Sequence, residues 1–178
     1  MDPAEPSPPD LAKVVRAARE AGLPHVVIGG FSVIAHGHVR ATKDSDLLIP
    51  DGPDADQAAQ RFLTSVHAAR LADGEPVELN DIQGREHLRV HSACGLIDLL
   101  RGGIAPLDFD TVDRNATDLT LFGATVRVAS LESLVGFKRL AGRPHDRADL
   151  QELKAIHGEL PMTPIPGLDA TPDDTDRP

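Results

Sequence analysis

Two aspartates in the sequence are spaced so that they could hold a divalent cation. Asp44 and Asp46 flank Ser45 at the predicted start of a short apolar strand, residues 47–49. Side chains at positions i and i+2 of a strand point to the same face, with their Cα atoms roughly 6–7 Å apart. Carboxylates so close repel each other unless a cation lies between them, and Mg²⁺ prefers such oxygen ligands. The alternative is a solvated turn rich in aspartate.

A third aspartate, Asp98, lies among aliphatic residues in the predicted strand 96–100. A carboxylate at such a position is costly to bury without a partner. If this strand pairs beside the Asp44 strand, cross-strand neighbours lie about 5 Å apart. Three carboxylates could then share two metal ions, one activating an attacking oxygen and the other neutralising a leaving pyrophosphate. The alternative is an edge-strand aspartate that faces water.

Paired glycines precede the first two aspartates. Gly29 and Gly30 lie between an apolar strand, residues 25–28, and a predicted helix, residues 31–36. Glycine lets a backbone approach a phosphate closely, and the free N–H groups of a helix start attract anions. Ser32, in the first turn, adds a hydroxyl donor. A tight turn without a ligand is the alternative.

The string from Gly29 to Leu47 reads Gly-Gly-x-x-Val-x-x-His-Gly-x-x-Arg-x-Thr-x-Asp-x-Asp-Leu. Together with the aliphatic-flanked Asp98, it resembles the polymerase-β-like nucleotidyltransferase superfamily, and in particular its abortive-infection (AbiEii-like) branch. A second similarity follows the predicted sheet, where Lys138 precedes an Arg-x-x-Asp-x-x-Asp element that spans residues 143–149. Ser45 departs from the pattern, because relatives place an aliphatic residue between the two aspartates.

The resemblance implies a role for each matching residue. Asp44, Asp46 and Asp98 would bind two Mg²⁺ ions, with Mn²⁺ as a substitute, and Asp98 would also deprotonate the acceptor. The triphosphate of an NTP such as ATP would contact four residues: Gly29, Gly30, Ser32 and Lys138. Arg40 and Thr42 would steady the aspartate loop or meet substrate, with a surface role as the alternative, and Arg143 and Asp146 would form an ion pair or act as ligands.

The order of predicted elements is α-β-α-β-α-β-β-β-β-α-α, an α/β (α+β) domain with a mixed sheet flanked by helices and a C-terminal helical hairpin. Residues 10–128 form the predicted catalytic core and residues 129–160 the helical extension. Residues 1–9 and 161–178 are rich in proline and acid, which predicts disorder. The third helix is expected to run from Pro53 or Asp54 through Ala69. The remaining predicted strands are 88–92, 118–122 and 124–128, and the remaining helices begin at Asp10, Ser130 and Pro144.

Composition excludes several classes of protein. Aromatic residues make up 3% of the chain, which argues against base stacking, and the formal net charge of −10 argues against nonspecific DNA binding. One cysteine, Cys94, forms no internal disulfide and no cysteine-based zinc site. With no apolar run of about 20 residues and no basic leader, a cytoplasmic location without a membrane partner is expected.

Several alternatives stay open at this point. The resemblance implies a hydroxyl acceptor that is tRNA, a protein or a small molecule, and it includes toxins paired with an antitoxin protein. A non-catalytic nucleotide-binding or partner-binding module of the same fold is an alternative, as is a His/Asp metal hydrolase using His36 and His38. Asp108-Phe109-Asp110 is a rival motif, interpreted as a structural loop. Six arginines could line the cleft: Arg85, Arg89, Arg101, Arg139, Arg143 and Arg147.

Overall fold

The computed structural model describes residues 7–169, which form a seven-stranded mixed sheet with helices on both faces. The helices are α1 (Leu11–Glu20), α2 (Gly29–Ala35), α3 (Pro53–Ser65), α4 (Leu79–Ile82), α5 (Phe109–Asn115), α6 (Leu131–Ala141) and α7 (Pro144–His157). The strands are β1 (Val26–Ile28), β2 (Asp44–Ile49), β3 (Ala69–Arg70), β4 (His87–His91), β5 (Leu96–Arg101), β6 (Thr117–Leu121) and β7 (Ala124–Val128). The predicted fold class is confirmed.

The strand order across the sheet is β3-β4-β5-β2-β1-β7-β6. β2 runs parallel to β5 and antiparallel to β1, while β1 runs parallel to β7. The remaining pairs, β3–β4, β4–β5 and β6–β7, are antiparallel. The central position belongs to β2, so residues at its start lie between β5 on one side and β1 on the other.

Burial on both faces explains why the central strands are apolar without interruption. Leu47 packs in the large core with α1 and α3, while its neighbour Leu48 packs on the opposite face with Phe109 of α5. Because strand side chains alternate, Asp44 and Asp46 share the face of Leu48, and Ser45 shares the face of Leu47. The carboxylates therefore project on the side covered by α5 and α6.

The structure differs from the sequence prediction in the middle of the chain. α3 ends at Ser65, and Ala69 belongs to the two-residue strand β3 instead of the helix. Three elements, β3, α4 and α5, are absent from the predicted order. All three are seven residues or shorter, and segments of that length carry too few periodic positions to separate helix, strand and turn.

Part of the segment for which the sequence predicts disorder lies on the folded domain. Ile165 is buried, and Thr163 and Asp169 both contact side chains of α6. Disorder after residue 161 is therefore wrong for residues 161–169, where one apolar anchor and two polar contacts outweigh the local abundance of proline. The predicted disorder of 1–6 and 170–178 lies outside the described residues. Among the described residues, no helix is both long and apolar enough to cross a bilayer.

Candidate active site

The three sequence-predicted aspartates meet at one place on the sheet, which we call the triad (Asp44, Asp46 and Asp98). β2 and β5 pair in parallel so that Asp46 lies directly opposite Asp98, and Asp44 precedes Asp46 by two residues on the same face. One carboxylate oxygen from each residue lies within 4.8 Å of the others. Two segments more than 50 residues apart in the chain thus supply one cluster of oxygen ligands.

The charge of the triad is not balanced by its surroundings. Burial, followed by the nearby charges of Asp44 and Asp98, raises the pKa of Asp46 to about 7. Burial also raises the pKa of Asp98, although Arg89 and His87 oppose that shift. A divalent cation among these oxygens would remove the repulsion, so the donor set fits a hard metal ion.

The paired glycines lie against the triad. β1 passes directly into α2 at Gly29, and Ile28 at the end of β1 pairs with Asp46. Gly29 has a φ of +63°, and a Cβ atom there would overlap the carboxylate of Asp46. A Cβ atom on Gly30 would overlap the hydroxyl of Thr42. Both positions need glycine because the backbone of the turn runs immediately beside the aspartate strand.

Two further side chains come from β4, and sequence reasoning missed one of them. His87 Nε2 lies 2.9 Å from Asp98 Oδ1. Arg89, predicted only as one of six basic residues near the cleft, lies opposite Asp98 in the β4–β5 register and contacts Asp44 at 2.7 Å. The signal was the alternation of His87, Arg89 and His91 along β4, which marks a strand with one polar face.

Most of the other arginines suggested for the cleft lie elsewhere. Arg101, the last residue of β5, pairs with Asp51 and with Asp56 of α3. Arg139 of α6 pairs with Asp169. Of the six, only Arg89 and Arg143 line the two cavities beside the triad. The predictions that placed the other arginines at the cleft were wrong for one reason. The position of an arginine in the sequence does not reveal which carboxylate its side chain contacts.

Lys138 belongs to a second charged group, the hairpin cluster (Arg40, Lys138, Arg143, Asp146 and Asp149). Lys138 is 5% exposed, and its Nζ lies 2.9 Å from Asp146 and 2.7 Å from Asp149. Arg143 Nε binds Asp146 at 2.7 Å, which is the ion pair that the sequence suggested. Arg40 contacts both carboxylate oxygens of Asp149, at 2.7 and 2.8 Å.

The cations of the hairpin cluster stabilise its ionised carboxylates. Burial opposes ionisation of Asp146, but hydrogen bonds from Arg143 and Lys138 outweigh it and lower the pKa to about 2. The pKa of Asp149 is lowered in the same way: burial opposes the shift, and hydrogen bonds from Arg40 and Lys138 exceed it. Through Arg40, the cluster fastens the loop before the triad to α6 and α7.

Three predicted hydroxyl-bearing positions take different roles. Thr42 Oγ1 donates to the carbonyl of Asp44 at 3.2 Å, which steadies the start of β2. Ser32 and Ser45 are fully buried, and neither hydroxyl has a hydrogen-bond partner among residues 7–169. Ser32 lines neither cavity beside the triad, so its predicted contact with a triphosphate stays a prediction. Ser45 packs beneath the triad, as its position between two same-face aspartates requires.

Two cavities flank the triad and share Asp46, Asp98 and Lys138 among their lining residues. The larger, about 580 Å³, is bounded by Gly29, Gly30 and the loop of residues 38–44. The smaller, about 210 Å³, has an apolar wall formed by Ile28, Leu100, Leu134, Phe137 and Ala141. One cavity thus faces the glycines, and the other extends from Asp98 along α6.

The rival motifs have structural explanations. Asp108 accepts a hydrogen bond from the Thr111 amide at 3.0 Å and so caps α5, which agrees with the structural interpretation of Asp108-Phe109-Asp110 but replaces the expected loop with a helix. His36 Nε2 lies 2.8 Å from the carbonyl of Ala129. Among residues 7–169, the group of side chains close enough to hold a metal ion is the triad, and neither His36 nor His38 belongs to it.

The sequence matches no family model and no curated protein. Solved structures are similar in fold. The solution structure of the antibiotic-resistance factor ANT(2'')-Ia has a TM-score of 0.57 at 16% identity, covering 83% of this chain and 82% of that chain. Its crystal structure with adenylyl-2''-tobramycin gives 0.55 and 17%, covering 82% and 86%. The lincomycin-bound lincosamide adenylyltransferase LnuA gives 0.57 and 15%, covering 82% and 95%. The chain therefore has the fold of these nucleotidyltransferases.

Proposed function

We propose that this protein is a divalent-cation-dependent nucleotidyltransferase that moves a nucleoside monophosphate from an NTP to a hydroxyl acceptor. One observation carries the proposal: Asp46 and Asp98 are in register on adjacent parallel strands, with Asp44 beside them and the Gly29-Gly30 turn against Asp46. This arrangement unites an oxygen-ligand site with a backbone that phosphates can approach closely.

The triad would hold the cations. Its carboxylate oxygens suit Mg²⁺, and Mn²⁺ accepts the same ligands. Cations bound there would offset the negative charge of the triphosphate and of the departing pyrophosphate. The raised pKa of Asp46 agrees with this assignment, because burial and then the neighbouring charges of Asp44 and Asp98 disfavour its ionised form, and a bound cation would favour it.

The remaining roles follow from position. Asp98 accepts the proton of the acceptor hydroxyl, whose oxygen forms a bond to the α-phosphorus as the bond to the β-phosphate oxygen breaks and pyrophosphate leaves. Gly29 and Gly30 border the triphosphate. Lys138 has three N–H donors, of which Asp146 and Asp149 take two. Because Lys138 lines both cavities, its third donor can meet a phosphate oxygen.

We infer that the acceptor is a small hydroxylated molecule. The similar solved structures include an adenylyltransferase for lincosamides and an enzyme bound to adenylyl-2''-tobramycin, so ATP and small-molecule acceptors are the first choices for this chain. The smaller cavity beside Asp98 supports the inference, since its apolar wall suits a compact organic molecule. tRNA and protein acceptors and a toxin role with an antitoxin partner rest on the sequence resemblance, and a cytoplasmic location stays an expectation from the composition of the sequence.

The test is a transfer assay with each α-³²P-labelled NTP, Mg²⁺ and separate fractions of small molecules, tRNA and protein. We expect pyrophosphate release together with transfer of label, and loss of both in EDTA. Asp46→Asn and Asp98→Asn should each lower the rate roughly 10³-fold or more. Each substitution removes a negatively charged ligand of the cation that stabilises the reacting phosphates. Asp110→Asn, an exposed change in the rival motif, is the matched control and should keep wild-type activity.

Two outcomes would contradict the proposal. If Asp46→Asn is folded and as active as wild type, the assignment of the triad is wrong. If the wild-type protein binds an NTP tightly but no fraction accepts label and no pyrophosphate appears, the chain is a nucleotide-binding module instead of an enzyme.

A further inference from the structure

Arg89 lies between two carboxylates of the triad. One guanidinium nitrogen lies 2.7 Å from Asp44 Oδ2, and the other terminal nitrogen lies 3.6 Å from Asp98 Oδ2. The side chain reaches this point because Arg89 is directly opposite Asp98 in the antiparallel β4–β5 pair. A guanidinium therefore bridges ligand groups that come from both aspartate strands.

Arg89 differs from the other cations around the triad. Arg40, Lys138 and Arg143 each bind carboxylates of the hairpin cluster. Within residues 7–169, Arg89 is the lysine or arginine that forms an ion pair with the triad. Its side chain is 40% exposed and borders both cavities, so it can leave the triad without crossing the core.

A divalent cation at the triad would bind the same carboxylates that Arg89 contacts. Two like charges at a separation of a few ångströms repel, and a strong hydrogen bond to Asp44 must be given up for that oxygen to become a metal ligand. In the absence of substrate, the guanidinium and the metal ion therefore compete.

We propose that Arg89 is an internal counter-ion of the triad, displaced when the metal ion and the triphosphate arrive together. The inference rests on the proposed function, since it assigns the triad as the metal site. Once displaced, the guanidinium lies beside the larger cavity, where phosphate oxygens offer it a bidentate partner in place of the carboxylates. The metal ion is thus held weakly without nucleotide, and each ligand raises the affinity for the other.

The experiment measures Mn²⁺ binding to nucleotide-free protein by electron paramagnetic resonance at low ionic strength. Arg89→Gln should bind Mn²⁺ about fivefold more tightly than wild type, because a competing charge is gone, and this gain should shrink in high salt. Arg89→Lys keeps the charge and should remain close to wild type. Arg127→Gln removes an arginine of β7 that pairs with Asp113 and Asp118 and lines neither cavity beside the triad, so it should change nothing.

A second measurement follows the nucleotide. The KM for NTP should rise at least about fivefold in Arg89→Gln, with a smaller change in kcat, since the guanidinium contributes to binding the triphosphate. The increase in Mn²⁺ affinity caused by a non-hydrolysable NTP analogue should be smaller in Arg89→Gln than in wild type.

The outcomes separate this inference from the proposed function. If wild type binds Mn²⁺, Asp46→Asn does not, and Arg89→Gln binds no more tightly than wild type, the counter-ion is disproved and the metal site stands. If Asp46→Asn binds Mn²⁺ as wild type does, the triad is not the metal site and both proposals fail.

Discussion

Two groups of carboxylates lie within the same pair of cavities, and their electrostatics are opposite. The triad joins three aspartates with one arginine and one histidine, and the pKa of Asp46 rises to about 7. The hairpin cluster joins two aspartates with three cations, and the pKa of Asp146 falls to about 2. Burial acts in the same direction in both groups, so the number of nearby cations decides the difference.

The comparison distinguishes a proposed binding site from a cluster with a structural role. In the hairpin cluster three cations face two carboxylates, so each carboxylate is ion-paired within the protein, and the cluster fastens the β2 loop to α6 and α7. The triad keeps an excess of negative charge, which destabilises the folded protein until a cation binds. Such destabilising groups of charges are typical of functional sites. The two groups can be told apart experimentally by substituting one aspartate in each.

The largest expected effect on stability comes from the hairpin cluster. Asp146→Asn removes a carboxylate that faces Lys138 and Arg143, and it leaves a buried ammonium with one partner fewer. We expect a loss of about 3 kcal/mol in the free energy of unfolding. Asp46→Asn should instead raise that free energy by about 1 kcal/mol at neutral pH, because it removes a like charge from the triad. Urea denaturation in EDTA measures both.

Equal destabilisation by the two substitutions would contradict the contrast between the two groups. It would mean that nearby cations compensate the carboxylates of both groups in the folded protein.

The pH dependence of stability should have opposite signs for the two groups. A lowered folded-state pKa stabilises the protein above the ordinary value of 3.8 and loses that contribution as pH falls towards 2, which is the case of Asp146. A raised pKa gives a contribution that is present below about pH 4 and is lost as pH rises through about 7, which is the case of Asp46 without metal. Unfolding curves in EDTA from pH 2.5 to 8 measure the two slopes.

Asp146→Asn should therefore flatten the acid limb, and Asp46→Asn should flatten the decline between about pH 4 and 7. A curve for Asp46→Asn that runs parallel to that of wild type over this interval would show that the triad is already compensated.

The smallest expected effect concerns the residue beneath the triad. Ser45 is fully buried and its hydroxyl has no partner among residues 7–169, so Ser45→Ala should stabilise the protein by about 1 kcal/mol. Thermal unfolding checks the change, with Ser65→Ala as control because that hydroxyl donates to the Phe62 carbonyl at 2.7 Å. A lower Tm for Ser45→Ala would indicate that the hydroxyl is satisfied after all.

Long periodic segments and glycine punctuation made most of the fold predictable. Helices that begin at a capping residue, such as Ser130 before α6, and the turn at Gly123 between β6 and β7 appear where the sequence indicates them. The short elements β3, α4 and α5 were not predictable, because segments of two to seven residues carry too few periodic positions to separate helix, strand and turn. Ile165 shows the same limit, since its burial against the domain overrides the composition of the surrounding tail.

Some residues of the candidate site were predictable from the sequence and others were not. Asp44, Asp46, Asp98 and the paired glycines were identifiable because their residue types are unusual at the ends and interiors of apolar strands. The contribution of β4 was not. His87 and Arg89 look like ordinary polar residues of an alternating strand until the β4–β5 register places Arg89 opposite Asp98.

By itself, the sequence determined which residues could act on phosphate and that they would lie on a mixed α/β sheet, because chemistry and periodicity are properties of local segments. The tertiary structure decided how the charges are paired. Strand register placed Asp98 opposite Asp46 and brought Arg89 to them, and the packing of α6 against α7 enclosed Lys138 between Asp146 and Asp149. Those pairings depend on distances between segments far apart in the chain, and such distances exist only in the folded protein.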